Sequence, residues 1–510
     1  MDSPSRTPFS PTHKDGGIYH KIKYYDKLST VNPDLSLKVP AHVFNPAMFL
    51  FSHASKQKSW MTIFSLWNTM IGSTVFTMPW GVEQSGLIMA IIQIILIGII
   101  TWYTCYLTAK YCKQENEDDV VNLVGKMWGK KGQQITLIMS CSVLVGATMA
   151  FNVLINSSFF NILKGLGKWI SGSEISSCDD CWDDFSGRYT PFILMGLLIF
   201  LLNFKEKSTY IKLNSGGIFF VFANLIFLIS VGIRALIINT FTTHHESIEN
   251  DDKKCDDDWN CLKHNNKVEI TLFKSDFFML SGILTFSYFL HNCIAIIMKN
   301  NEHQEKNNRD LALGYVAAAG SYMSIAVIGY FGFKGNGFPQ KNISQNALDM
   351  FSPTNPLAFI VRIILFTQML TVYPMILYFV RTQFFGFFYG TDYPSKKHVF
   401  IMSIICSSLT TIVASVYPNV GLIVGFVGAF CGLYFAYIIP VCLHIHFTKP
   451  KEFNDYSPYS SVMKVADTEE EMLMSKKPEQ SLAKWKIDAV LHSSIIVFGF
   501  AVVLFQFLKT

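Results

Sequence analysis

Eleven apolar runs, spaced along almost the whole chain, decide what this sequence can fold into. They lie at 61–86, 87–111, 134–163, 190–203, 213–240, 275–298, 311–332, 356–388, 398–417, 420–447 and 485–508. A helix crosses ~30 Å of hydrocarbon with about 20 apolar residues, and all but the short fourth run reach that length. Backbone polar groups in lipid must be satisfied internally, which restricts such runs to helices or closed barrels. Their length selects helices. Only 15% of the 510 residues are charged, against roughly 25% in a soluble domain. The chain therefore reads as an all-α polytopic membrane protein with eleven transmembrane helices. The first sixty residues are largely polar and carry no cleavable signal, so the first span is expected to direct insertion.

Charge distribution orients these spans. With residues 1–59 in the cytosol and sides alternating, 29 of the 42 Lys and Arg fall on the cytosolic face and 11 on the other. Cytosolic loops carry the excess of Lys and Arg, so the C-terminus is expected on the lumenal or extracellular side. The net charge of +5 is thereby read as topology, and affinity for nucleic acid is excluded.

Within the first span, the segment WMTIFSLWNTMIGSTVFTMPW at Trp60–Trp80 turns polar and glycine-bearing around Asn68-Thr69-Met70-Ile71-Gly72-Ser73-Thr74, with Pro79 beyond. A kinked packing helix would account for small and hydroxylated residues. An unwound helix lining a central cavity also accounts for them, because freed N–H and C=O groups there grip a substrate and its ion. The sixth span repeats the pattern with Ser281-Gly282 and Thr285. Five spans precede it, so two five-helix halves (60–240 and 275–447) are expected, the second inverted in the membrane, followed by an eleventh helix at 485–508. In the eighth span Gln368 and Thr371 share a helical face ahead of Pro374. They either hydrogen-bond to neighbouring helices or help cage a small hard cation.

Four cysteines, Cys178, Cys181, Cys255 and Cys261, sit in loops assigned to the non-cytosolic side, where disulfides persist; sequence leaves their pairing open. Without a second CxxC, the CDDC at 178–181 reads as disulfide rather than redox motif or metal clip. Asn342-Ile343-Ser344 is a glycosylation acceptor on the same side. The loop 241–274 is acidic and reads as solvated. The stretch 448–484 reads as a flexible cytosolic connector. The N-terminal arm alternates polar and apolar residues from His20 to Leu28, a small hairpin pattern that needs a docking surface to be stable.

Three motifs, WNTMIGSTVFTMPWG, FLHNCIAIIMKNNEHQEKNNRDLALGY at 289–315 and TQMLTVYP at 367–374, carry a resemblance to the sodium-coupled neutral amino-acid transporters of the amino-acid/auxin permease type, and within them to the lysosomal, arginine-responsive branch. It extends into the arm through KIKYYDKL. The resemblance implies the leucine-transporter-like fold, a 5+5 inverted repeat plus one helix. It implies an amino-acid substrate, arginine or neutral, bound along Asn68, Thr69, Met70, Ile71, Gly72, Ser73 and Thr74. It also implies a sodium ion held by Asn68, Ile71 and Thr371, with Gln368 a further candidate. Ile22, Tyr25, Leu28 and Pro40 match a partner-binding pattern for the Rag GTPase–Ragulator complex, implying a lysosomal or late endosomal sensor signalling to TOR complex 1. The chain reads GST where the branch reads GTS. Residues 333–355, which carry a disulfide cysteine in that family, contain none here. Two other functions remain open at this point: a plasma-membrane neutral amino-acid/sodium symporter without signalling, and a membrane acyltransferase using His291 as base. The apolar helix around His291 holds no second acid, which favours capping or an inter-helix hydrogen bond over catalysis.

Overall fold

The computed structural model describes residues 58–117, 119–171, 179–203, 217–244, 270–299, 301–334, 342–391, 393–449 and 482–508. All regular structure in them is helical. The expectations placed on the N-terminal arm, including Ile22, Tyr25, Leu28 and Pro40, lie outside the described residues. So do those on Cys178, Cys255, Cys261 and the side chain of Cys181.

In chain order the helices are α1 (Ser59–Met70), α2 (Met78–Ser85), α3 (Leu87–Gln114), α4 (Val120–Ser171), α5 (Asp179–Leu202), α6 (Gly217–His244), α7 (Phe278–Ser287) and α8 (Ile294–Lys299). Then follow α9 (Asn307–Phe333), α10 (Pro356–Tyr389), α11 (Lys396–Val416), α12 (Val420–Gly432), α13 (Ile439–Thr448) and α14 (Leu482–Leu508). Among the described residues, seven helical stretches are long and apolar enough to cross a membrane: Leu87–Gln114, Val120–Ile170, Gln304–Phe333, Pro356–Tyr389, Lys396–Val416, Val420–Thr448 and Ala483–Leu508. Tyr189–Leu202, Phe219–Arg234 and Phe278–Ser287 are shorter apolar helices. The first apolar run is broken into α1, of 12 residues, and α2, of 8, and belongs to neither set. Outward-facing side chains fit a lipid boundary: Ile95, Leu96 and Ile99 on α3 and Ile401, Ile405 and Ile412 on α11 are all exposed.

Two broken helices lie side by side at the centre. The α7 helix packs on α2, and α8 on α1, so the two pairs run antiparallel. The α9 helix packs along α1, α2 and α3, while α10 packs on α4 and α6. Close approach at the centre needs glycine. A Cβ at Gly282 would stand 2.3 Å from the Gly425 carbonyl oxygen, and one at Gly428 would stand against the Gly282 carbonyl oxygen. The backbones of α7 and α12 therefore touch.

This corrects one expectation. Ser281, Gly282 and Thr285 do not interrupt the sixth span: α7 is regular through them, and the chain leaves the helix only at residues 288–293. Gly282 serves packing. The Thr285 hydroxyl bonds to the Ser281 carbonyl and to the Tyr437 hydroxyl, each at 2.8 Å. Residues 120–128, between the apolar runs at 87–111 and 134–163, are also helical. The positive φ of Gly129, 71°, turns this short helix away from the rest of α4. Val120, Leu123 and Val124 bury one face of it against Leu107, Tyr111 and Phe435.

Loops that charge counting places on one side gather at one end of the bundle. Lys274 N–H donates to the Ser85 carbonyl, Leu87 N–H to the Thr271 carbonyl, and Gly421 N–H to Gln345. The turn at Ala347–Met350 closes this end. Arg362, fully buried, donates to the Leu348, Phe351 and Ser352 carbonyls. Asp349 accepts from Ser157 and Asn346; burial pushes its carboxyl above the ordinary range, against the pull of Ser157 and Arg362. Asn342 is exposed beside this turn. At the other end, residues 112–117 and 298–311 surround a cavity of about 300 Å³ whose lining includes Lys110, Lys113, Glu117, Lys299 and Glu305.

Candidate functional site

The first break forms where the sequence is least able to hold a helix. After Met70, Ile71 (φ −73°, ψ 103°) and Gly72 (φ −133°, ψ −151°) are extended, and a tight turn of 3₁₀ helix, Ser73–Thr77, leads into α2 with Pro79 near its start. Proline fits the first turn of a helix because its missing N–H would be unpaired there anyway. A Cβ at Gly72 would meet nothing within 4 Å. Open space beside an extended glycine inside a packed bundle allows a ligand to approach the backbone closely.

The second break, residues 288–293, faces the first. Tyrosines of α9 stitch the two together. The Tyr322 hydroxyl lies 2.6 Å from the Met70 carbonyl oxygen and 3.0 Å from that of Ser287, the last residues of α1 and α7. With one proton it donates to one of them at a time. Seven residues earlier on the same face, Tyr315 donates to the Tyr288 carbonyl at 3.0 Å. Helix C-termini carry partial negative charge and N-termini partial positive charge. The breaks thus set carbonyl-rich ends of α1 and α7 beside the amide-rich start of the Ser73–Thr77 turn. Such a pair of poles suits a zwitterion: ammonium at the carbonyls, carboxylate at the amides.

A small cavity of about 10 Å³ opens beside the first break, lined by Ile71, Gly72, Val75, Phe76, Val221, Asn224, Leu225, Gln368 and Met369. That is room for about one water or one small ion. The structure therefore brings Ile71, Gly72 and Gln368 together. Thr371 does not line the cavity; its hydroxyl donates to the Gln368 carbonyl at 2.8 Å, which leaves the hydroxyl's lone pairs as acceptors. Asn68, Met70 and Thr74 are buried. The Thr69 hydroxyl donates back to the Ser65 carbonyl at 2.8 Å. Ser73 begins the 3₁₀ turn.

Asn224 on α6 was not singled out by the sequence reading. Its Nδ2 donates to Gln368 Oε1 at 2.8 Å, while its Oδ1 is buried with no hydrogen-bond partner among the described residues. A bare carbonyl oxygen at a cavity of this size is a natural ligand for a hard cation, which takes oxygen donors. The available signal was a lone amide within the apolar run FFVFANLIFLISV. Tyr315 and Tyr322 were also missed; their seven-residue spacing on one helix was the readable sign.

His291 sits in the second break, buried, with Nε2 3.0 Å from the Thr104 hydroxyl. This is an inter-helix hydrogen bond linking the break to α3.

Comparison with known proteins adds to this geometry. Residues 55–463 match the family described as transmembrane amino acid transporter protein. Neutral amino acid transporter 9 of Rattus norvegicus is 31% identical over 481 residues, covering 83% of this chain and 82% of that one. The sodium-coupled neutral amino acid transporter 9 homolog of Caenorhabditis elegans is 27% identical over 500 residues, covering 85% and 76%. Among solved structures, that of MhsT in complex with L-phenylalanine superposes with a TM-score of 0.50 at 14% identity, covering 88% of this chain and all of that one. At that identity the likeness concerns the fold.

Proposed function

The chain belongs to the transmembrane amino acid transporter family, and from that premise we propose that it is a sodium-coupled amino-acid symporter working by alternating access around its two broken helices. It is a multi-pass membrane protein of amino-acid transport; the coupling ion, the membrane and the signalling role are the proposal. One observation carries it most: α1–α2 and α7–α8 break beside one another in opposite directions, with Tyr322 bridging both ends. Interrupted helices at matched places in two halves mark the central site of transporters built from inverted repeats. That pairing supports a 5+5 inverted repeat with α14 as an eleventh span.

In this reading the substrate carboxylate meets the N–H groups of Gly72 to Thr74, and its ammonium meets carbonyls at the ends of α1 and α7. Sodium occupies the small cavity, held by the Ile71 carbonyl and Asn224 Oδ1, with Gln368, Thr371 and the Asn68 carbonyl as neighbouring oxygens. Ion and substrate share the Ile71–Gly72 turn, so each stabilises the conformation the other needs. A ligand shifts a conformational equilibrium only by its difference in affinity for the two states, and a shared turn supplies that difference. We further propose a lysosomal or late endosomal membrane, arginine among the substrates, and docking of the arm through Ile22, Tyr25, Leu28 and Pro40, either in the 300 Å³ cavity or on Rag–Ragulator.

Purified protein in liposomes tests the coupling. Labelled amino acids, arginine included, should accumulate faster with an inward sodium gradient than with potassium alone. Asn224→Ala and Thr371→Ala should each move half-activation to higher sodium while leaving uptake near normal at saturating sodium. Uptake indifferent to sodium would remove the symport reading. Unchanged sodium curves in both variants would place the ion elsewhere.

A further inference from the structure

Where α13 ends and α14 begins, beside α3, two imidazoles converge on one carboxylate. His444 Nε2 lies 2.8 Å from Asp488 Oδ2, and His492 Nδ1 lies 3.3 Å from Asp488 Oδ1. The rings of the two histidines stack with centroids 4.0 Å apart. One candidate ligand atom from each of the three residues falls within 4.8 Å of the others.

An ion pair explains this arrangement poorly. One imidazolium neutralises one carboxylate, and two stacked imidazolium rings would repel each other in a site mostly shielded from water. The outer nitrogens complete a different pattern. His444 Nδ1 is 2.8 Å from the Tyr111 hydroxyl, and His492 Nε2 is 2.6 Å from the Tyr103 hydroxyl. Both tyrosines stand on α3. Metal-binding histidines characteristically turn one nitrogen to the ion and give the other N–H to an oxygen that fixes tautomer and ring orientation. Here both inner nitrogens face the same carboxylate and both outer nitrogens face a phenol oxygen.

We propose that His444, Asp488 and His492 form a binding site for a divalent transition ion of the zinc class, with Tyr103 and Tyr111 as orienting partners. Two imidazole nitrogens and one carboxylate oxygen suit zinc, which takes them at about 2.0–2.2 Å and leaves a fourth position for water. Ligand atoms around such an ion stand roughly 3.3 Å apart in tetrahedral geometry. The two contacts run to different oxygens of Asp488, and the three ligand atoms stand within 4.8 Å of one another, so binding would draw both nitrogens in around one oxygen. Calcium and magnesium, which take oxygen ligands, fit badly. Binding requires both inner nitrogens deprotonated; His492 Nδ1 then exchanges its 2.8 Å contact with the Asp488 carbonyl for the ion. The ion would staple α14, whose Val490, Leu491 and Val497 face outward, to α13 across residues 449–481.

The test uses full-length, tag-free protein in detergent, stripped with a chelator and titrated with zinc against a chromogenic competitor, with metal content read by mass spectrometry. One zinc per chain and a raised melting temperature are expected, with no such rise from calcium or magnesium. Cobalt in its place should give visible d–d absorption. His444→Gln and His492→Gln should weaken zinc binding at least tenfold. If either fails to fold, His492→Cys, which restores a ligand, should fold and bind. Wild-type protein that takes up well under one equivalent at micromolar zinc overturns the site, as do glutamine variants that bind as wild type.

Discussion

Gly72→Leu should abolish amino-acid uptake in liposomes while the protein still purifies as a folded monodisperse species. The reason is local. Gly72 is extended with φ −133°, a conformation open to any residue, and a Cβ there meets nothing within 4 Å. The bundle therefore accommodates the new side chain without strain, but the side chain fills the space beside the N–H groups of the Ser73–Thr77 turn and the mouth of the small cavity. Uptake and sodium activation should fall together, since substrate and ion share this turn. Melting temperature should change little. A Gly72→Leu protein that transports like wild type would mean that the open space at Gly72 is not where substrate sits.

Gly428→Leu has the opposite signature. A Cβ at 428 would collide with the Gly282 carbonyl oxygen and come within 2.9 Å of Phe286 Cβ. Backbone cannot swing aside as a flexible side chain can. Overpacking costs about 1–3 kcal/mol where neighbours yield, and more where they do not. The α7–α12 contact must part, and with it the platform that holds the second break in register with the first. The expected result is aggregated or unextractable protein, or a melting temperature lowered by many degrees, read by thermal unfolding of the detergent-solubilised protein. A stable Gly428→Leu protein would show that these helices can separate without loss of the fold.

The difference between these two glycines also explains what the sequence disclosed. The break in the first span was legible because its causes are local: Gly72 weakens the helix, Pro79 restarts it, and Asn68 and Thr69 supply polarity. The break in the sixth span was misplaced because its local signal, Ser281-Gly282, belongs to packing against Gly425 and Gly428, partners about 140 residues away. The true break at 288–293 contains neither glycine nor proline. Its Tyr288 carbonyl and that of Ser287 are met by Tyr315 and Tyr322 from α9, so the chain leaves the helix there with help from tertiary partners. Single-residue patterns do not reveal such partners. Gln368 was legible as a polar residue on an apolar face. Asn224 became visible as part of the site only once folding placed it 2.8 Å from Gln368. The helix at 120–128 lies outside the apolar runs because charged residues flank it, although Val120, Leu123 and Val124 give it a buried stripe.

If substrate lies against the unwound turn at Ile71–Gly72, a thiol placed there is protected by it. Gly72→Cys protein in liposomes is treated with a small thiol reagent, with and without each amino acid that the wild type transports, and labelling is compared with the wild-type background. A transported amino acid should slow labelling of the introduced thiol with the concentration dependence of uptake, more strongly in sodium than in potassium, while a non-transported amino acid should leave it unchanged. Labelling that proceeds equally fast with saturating transported substrate would mean that substrate binds away from this turn.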